Sequence, residues 1–155
     1  MLAAVITVSD RSARGEREDS SGPIAVTALE DAGWTVGRAI VADGADRVEA
    51  AIRSALANGA RLIVTTGGTG VAPRDETPEG TRRVIERELP GIAETLRRVG
   101  AAKVSSAVLS RGIAGVVGES LVVNLPGSRG GVSDGMPVVL SVAAHVLEQL
   151  EGGDH

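Results

Sequence analysis

The chain has 155 residues, 43% hydrophobic and 23% charged, with a formal net charge of −4; it is long enough for one globular domain with a sizeable core, and its acidic balance excludes a broad nucleic-acid-binding face. It has no Cys, which excludes disulfides, zinc–thiolate sites and thiol nucleophiles, and Trp34 is its lone aromatic, which leaves no stacking platform for single-stranded nucleic acid. No apolar stretch approaches the ~18 residues of a membrane span. The first residues, Met1–Ile6, run into a strand pattern with no basic leader, so the expectation is a cytoplasmic protein without membrane association.

In chain order, Leu2–Val8 reads as a buried strand and Ser9–Ser21 as a polar loop. Ser21-Gly22-Pro23 starts a helix with apolar positions Ile24, Ala25, Ala28, Leu29 and Ala32, which Gly33 stops. Trp34–Val41 is the second strand and Ala42–Ala45 a loop holding Asp43. Asp46 and Glu49 have capping-box spacing, and Val48, Ala51, Ile52, Ala55 and Leu56 form a helical stripe ended by Asn58-Gly59. Leu62–Thr66 is the third strand. After the glycine-rich stretch behind it, Thr77 is expected to cap a helix that Pro90 breaks, and a further short helix carries Ile92, Leu96 and Val99. Ile113–Val117 and Leu121–Asn124 form a hairpin around Gly118-Glu119. Leu125–Gly131 is a second glycine-rich loop, and Val139, Val142, Ala143, Val146, Leu147 and Leu150 mark a final helix that Pro137 is expected to split. The alternation predicts one α/β domain over residues 1–155 with a mostly parallel sheet and a frayed tail at 151–155. In such sheets ligands sit at the carboxyl ends of the strands, so loops holding Asp10, Asp43, Gly67–Asp75 and Pro126–Ser128 are expected to converge.

The stretch Val64–Glu79, VTTGGTGVAPRDETPE, carries the chemistry. Gly67, Gly68 and Gly70 follow a strand, where glycines allow a tight turn and close backbone approach to a ligand. Free N–H groups in such a loop attract anions, and Arg74 adds a charge-assisted donor. Asp75 suits a metal ion or a proton transfer better than bare phosphate. The loop is neither a P-loop nor a dinucleotide fingerprint, because the required Lys and third Gly are missing. On these residues alone the glycines are either a turn or a phosphate cradle. Arg74-Asp75 is either a surface ion pair or part of a site, and Asp43 and Asp10 are either turn residues or functional acids. Ser110 reads as loop filler and His145 as a packed helix residue, and no catalytic His arrangement is present.

Thr65-Thr66-Gly67-Gly68-Thr69-Gly70, then Pro73-Arg74-Asp75 and Thr77-Pro78-Glu79, closely resembles the signature of the MogA/MoaB family of molybdenum-cofactor biosynthesis. Ser9-Asp10-Arg11, Leu109-Ser110-Arg111 and Asn124-Leu125-Pro126-Gly127-Ser128 match in order, and the resemblance runs from about Ala3 to Leu150. The chain departs from many relatives in reading Ser128-Arg129-Gly130-Gly131 after the Pro-Gly turn.

The resemblance implies a three-layer α/β/α domain, a homotrimer, and Mg²⁺-dependent transfer of AMP from ATP to the phosphate of molybdopterin, with hand-over to a molybdate-inserting enzyme. It implies Asp43 and Asp75 as catalytic and metal-holding acids, with phosphates on Gly67, Gly68, Thr69 and Gly70 and further contacts from Ser9, Asp10, Thr66, Arg74 and Thr77. Ser110, Pro126, Gly127 and Ser128 are implied on the pterin side, and Arg111 and Asn124 as further substrate contacts. With no fused insertase module, the chain resembles the stand-alone transferase; the alternative is a molybdopterin-binding carrier of the MoaB type. The chemistry is consistent with this inventory. Two polyanions must meet, so alignment and charge neutralisation dominate the barrier, and an already ionised phosphate nucleophile needs no strong general base.

Overall fold

The computed structural model describes residues 1–153. Its centre is a six-stranded sheet in the order β2-β1-β3-β6-β5-β4. The strands are β1 (Leu2–Val8), β2 (Thr35–Val41), β3 (Leu62–Thr66), β4 (Arg87–Glu88), β5 (Ala114–Val117) and β6 (Ser120–Leu125). β2, β1, β3 and β6 run parallel, whereas the β5–β6 hairpin and β4 add an antiparallel edge.

Strand alternation sends neighbouring residues to opposite faces. Ala3, Val5, Leu62, Val64, Leu121, Val123 and Leu125 pack on one face against α2 (Gly22–Asp31), α5 (Pro90–Ala101) and α6 (Arg129–Leu150). Ile6, Val8, Ile63 and Val122 pack on the other against α3 (Ala45–Ala57) and the segment around α4 (Thr77–Arg82). This is the expected α/β/α sandwich. With no Phe or Tyr, the core is built from small branched side chains, and burying each large one contributes about 1.5–3 kcal/mol.

Several elements differ from the sequence reading. The Ser9–Ser21 loop contains a single helical turn, α1 (Asp10–Ala13), whose Ser9 Oγ accepts the Ser12 N–H at 3.2 Å. Asp46 does not cap α3. Its first N–H, Ala45, donates to Glu76 Oε2 at 2.8 Å, and Asp46 faces solvent beside Arg83. A tertiary neighbour has taken over the local cap. The helix from Thr77 ends at Arg82, well before Pro90, and Pro90 starts α5 instead. The chain between leaves helix to form β4, whose Arg87 and Glu88 pair with Val116 and Gly115. A Cβ at Gly115 would lie 2.6 Å from the Arg87 carbonyl, so glycine admits this pairing. A 3₁₀ turn at Ser105–Leu109 was also not expected.

Pro137 does not split α6, because Val132, Met136, Val139, Ala143 and Leu147 anchor both halves to one sheet face. At 22 residues α6 is long and apolar enough, by length and composition, to cross a membrane, contrary to the sequence reading; here its apolar stripe belongs to the core. Of the expected frayed tail, Glu151, Gly152 and Gly153 donate N–H bonds to Leu147, Gln149 and Glu148 carbonyls. Residues 154 and 155 lie outside the described residues.

Candidate functional site

The four parallel strands end on one edge of the sheet, and the segments that follow β1, β2, β3 and β6 meet there. The glycine loop after β3 is the centre. Gly67 and Gly68 have φ of +94° and +66°, a region that side chains adopt only with strain. Space excludes a side chain as well: a Cβ on Gly67 would strike the Val8 carbonyl, and one on Gly68 the Thr77 hydroxyl. At Gly70 it would lie 2.8 Å from Asp75 Oδ2.

The loop's carbonyls are held from outside. Thr77 Oγ1 donates to Gly67 O at 2.9 Å and Thr77 N to Gly68 O at 3.0 Å. Thr77 therefore ties down the loop with its hydroxyl rather than capping α4. Arg111 holds Thr69 O through its main-chain N–H at 2.8 Å and Gly70 O through Nε at 2.8 Å. The Gly67 N–H donates to Leu125 O at 3.1 Å. The N–H groups of Gly68, Thr69 and Gly70 have no partner among the described residues, and remain available to an anion.

Three acids surround this loop. Asp10 and Asp43 exchange bonds: the Asp10 N–H donates to Asp43 Oδ2 at 2.9 Å, and the Asp43 N–H to Asp10 Oδ1 at 3.1 Å. Asp75 Oδ2 accepts the Ala72 N–H at 3.0 Å. Arg74 does not pair with Asp75. It donates to Asp10 Oδ1 at 3.0 Å and to the Asp43 carbonyl at 3.2 Å. The Arg74 hydrogen bond holds the Asp10 carboxyl below the usual aspartate range. Burial, helped by the negative charges of Asp10 and Asp75, pushes Asp43 above it.

Two cavities open on either side of the loop. A polar cleft of about 390 Å³ is lined by Ser9, Asp43, Thr66, Gly67, Gly68, Asp75, Gly127 and Ser128. A larger, mostly apolar cavity of about 790 Å³ is lined by Thr69, Gly70, Ser110, Asn124, Pro126 and Ser128. Ser128 borders both, and its Oγ also accepts the Gly131 N–H at 3.1 Å at the start of α6. Both volumes suit small-molecule ligands.

Most of the sequence-predicted residues thus converge, but not all face a ligand space. Asp10, Arg74, Thr77 and Arg111 line neither cavity and act as struts. Asn124 reaches the larger cavity's wall, yet its amide is turned inward, donating to Thr65 and Thr81 hydroxyls at 2.9 Å each and accepting the Ile113 N–H at 3.1 Å. Thr66 Oγ1 is buried 3.2 Å from Ser21 Oγ.

The sequence reading missed the polar cleft's outer wall, Arg17–Ser21. Within it the buried Asp19 accepts from Thr7 Oγ1 at 2.6 Å, Gly22 N at 2.9 Å and Arg38 Nη2 at 2.7 Å. Burial raises this carboxyl, but the three donors together outweigh it and hold it below the usual range. Its one sequence signal was the polar run before Gly22-Pro23. The larger cavity's far wall, including Leu96, Arg97 and Gly100 of α5 and Ser106 and Ala107 of the 3₁₀ turn, was also missed, because an apolar helix stripe reads as packing.

The chain is similar to proteins named for molybdopterin chemistry. It is 42% identical over 156 residues to the molybdenum cofactor biosynthesis bifunctional protein of Synechococcus elongatus, matching 100% of this chain but only 49% of that relative; the chain thus spans about half of that relative's length. It is 40% identical to the molybdopterin adenylyltransferase of Pyrococcus furiosus, over 93% of this chain and 88% of that protein. The solved structure of the molybdopterin biosynthesis Mog protein from Mycobacterium ulcerans superposes with a TM-score of 0.90 at 45% identity, covering 96% of this chain and 97% of that one. A family model described as "Probable molybdopterin binding domain" matches residues 4–145, and the chain belongs to that family.

Proposed function

We propose that the chain transfers the adenylyl group of ATP to the phosphate of molybdopterin, releasing pyrophosphate. One observation carries this reading: Asp43 and Asp75 share a polar cleft at a glycine loop whose far side opens into a larger apolar cavity. The loop is therefore the place where a phosphate chain from one side and a phosphorylated ring system from the other come within reach.

The phosphates lie along the N–H groups of Gly68, Thr69 and Gly70, which are fixed in direction and need no reorganisation as charge develops. The pterin occupies the larger cavity beside Ser110, Pro126 and Ser128, and Ser128, bordering both spaces, orients the phosphate between them. The nucleophile is an ionised phosphate oxygen, so the chain needs to align and neutralise rather than to remove a proton.

The cleft suits Mg²⁺. Asp43 and Asp75 each commit Oδ2 to a backbone N–H and leave Oδ1 unbonded within the chain. No Arg bonds to either carboxylate, and burial with the repulsion of Asp10 and Asp75 outweighs the Arg74 charge and keeps Asp43 raised. Among the described residues no three acids or imidazoles form a metal cage. A cation held there must complete its shell with phosphate oxygens and water, which is the habit of Mg²⁺. When bound it supplies charge stabilisation to the transferring phosphoryl group. Asp43 and Asp75 are its protein anchors. Asp10, through Asp43, sets the angle of that carboxylate.

In this reading the protein works in the cytoplasm, as a homotrimer, and hands adenylylated molybdopterin to a molybdate-inserting enzyme. The test is ATP-dependent release of pyrophosphate on adding molybdopterin. Tight pterin binding without any release supports the alternative, a carrier that holds molybdopterin without transferring AMP.

A further inference from the structure

We infer that Arg111 is the positioning residue that locks the glycine loop to the Asp75 segment and links the two cavities mechanically. This rests on the transferase reading above. The family resemblance implied Arg111 as a substrate contact, but its guanidinium is already committed. Nε donates to Gly70 O at 2.8 Å, Nη2 to Asp75 O at 2.7 Å, and Nη1 to Glu79 Oε1 at 2.6 Å and Oε2 at 3.1 Å. Its main-chain N–H holds Thr69 O at 2.8 Å. One residue therefore grips the loop at Thr69 and Gly70, the acid segment at Asp75, and the first turn of α4 at Glu79.

Only arginine suits this arrangement, because its planar fork directs several donors at once, whereas lysine offers one point charge. The grip on the Thr69 carbonyl fixes the direction of the other end of that peptide, the unpartnered Gly70 N–H, while Thr77, holding the Gly67 and Gly68 carbonyls, does the same for the Gly68 and Thr69 N–H groups. Arg111 also follows Ser110, which lines the larger cavity. The Ser110 carbonyl is fixed in turn by Arg97 Nη1 at 3.3 Å. A molecule seated against Ser110 thus bears on the same short segment that sets Asp75.

The test compares wild type with Arg111→Ala, Arg111→Lys and Glu79→Ala. Steady-state pyrophosphate release and amide hydrogen exchange across residues 69–75 are measured for each. A displacement near 1 Å at a reacting centre lowers turnover by about 10²-fold. Arg111→Ala is expected to lose kcat on that scale with KM for ATP and molybdopterin within about threefold, with partial rescue by added guanidinium ion. Arg111→Lys is expected to recover only part of the loss. Exchange at residues 69–75 is expected to accelerate in Arg111→Ala while the sheet stays protected. Glu79→Ala, which keeps both carbonyl contacts, is expected to lose far less activity. Unchanged kcat in Arg111→Ala alongside an active wild type overturns the inference, and so does a full loss reproduced by Glu79→Ala. A wild type that releases no pyrophosphate refutes the transferase reading instead. The clamp then stands or falls on the exchange rates, and unchanged exchange in Arg111→Ala overturns it.

Discussion

Asp10 and Asp43 lie 33 positions apart in the chain, yet each carboxylate accepts the other's backbone N–H. This reciprocal pair locks the segment after β1 to the segment after β2. It orients Asp43 with one oxygen inward and one toward the cleft. Arg74 reinforces it from the glycine-loop side by reaching both Asp10 and the Asp43 carbonyl. The proposed metal-holding acid is thus set by contacts among the segments that follow three strands.

Asp75→Asn is expected to lower turnover by at least ~10²-fold, the scale of losing one transition-state electrostatic contact. Asn retains an oxygen for the Ala72 N–H, so the fold should keep its melting temperature. Near-normal pyrophosphate release by this variant would remove Asp75 from the mechanism.

Asp43→Asn is expected to lose activity and yet match or exceed the wild type in thermal stability at neutral pH. Burial and two neighbouring carboxylates raise the native Asp43 above its unfolded value. Between those two values the native state binds more protons than the unfolded chain. Its contribution therefore favours folding below that window and is lost as pH rises through the native value. Calorimetry of wild type and variant should show a gap that closes toward acid pH. A variant that melts well below wild type at pH 7 would contradict the electrostatic account.

Mg²⁺ with ATP is expected to raise the melting temperature of the wild type, since a ligand of the native state stabilises it by mass action. The same addition should shift the Asp43→Asn/Asp75→Asn double variant much less. Equal shifts in both proteins would place the cation elsewhere.

Asp19→Ala removes the acceptor of three donors, and is expected to destabilise the fold by about 2 kcal/mol, the scale of leaving a buried donor unpaired. Urea unfolding with an unchanged slope would measure it. Because the native Asp19 is lowered, the wild-type advantage is present above the unfolded value and should fade as pH falls through the native one.

Gly68→Ala and Gly33→Ala separate strain from function. Both glycines have positive φ, but a Cβ at Gly33 meets nothing within 4 Å, whereas one at Gly68 meets Thr77 and approaches Asp43 Oδ1 at 3.2 Å. Gly33→Ala is expected to lose about 1 kcal/mol of stability and keep full turnover. Gly68→Ala is expected to lose about 1–3 kcal/mol and most of its activity. Equal activities would show that the loop's close approach to Asp43 and Thr77 is immaterial to catalysis.

Local pattern alone determined the parallel strands, α2, α3, the hairpin and the final helix, because periodic burial and glycine or proline punctuation are written within each segment. It also marked the glycine loop and Asp75, since tight turns restrict which residues can stand there. Tertiary structure decided everything that depends on partners distant in sequence. Glu76 caps α3 in place of Asp46. β4 exists because β5 offers it a ladder. Arg74 finds Asp10 rather than its neighbour Asp75. Arg111 and Asn124, which the family resemblance implied as ligand contacts, are committed to holding loops and strands together. A side chain's residue type states what it can bond; which partner it meets is set by how the sheet brings separate strand ends to one edge.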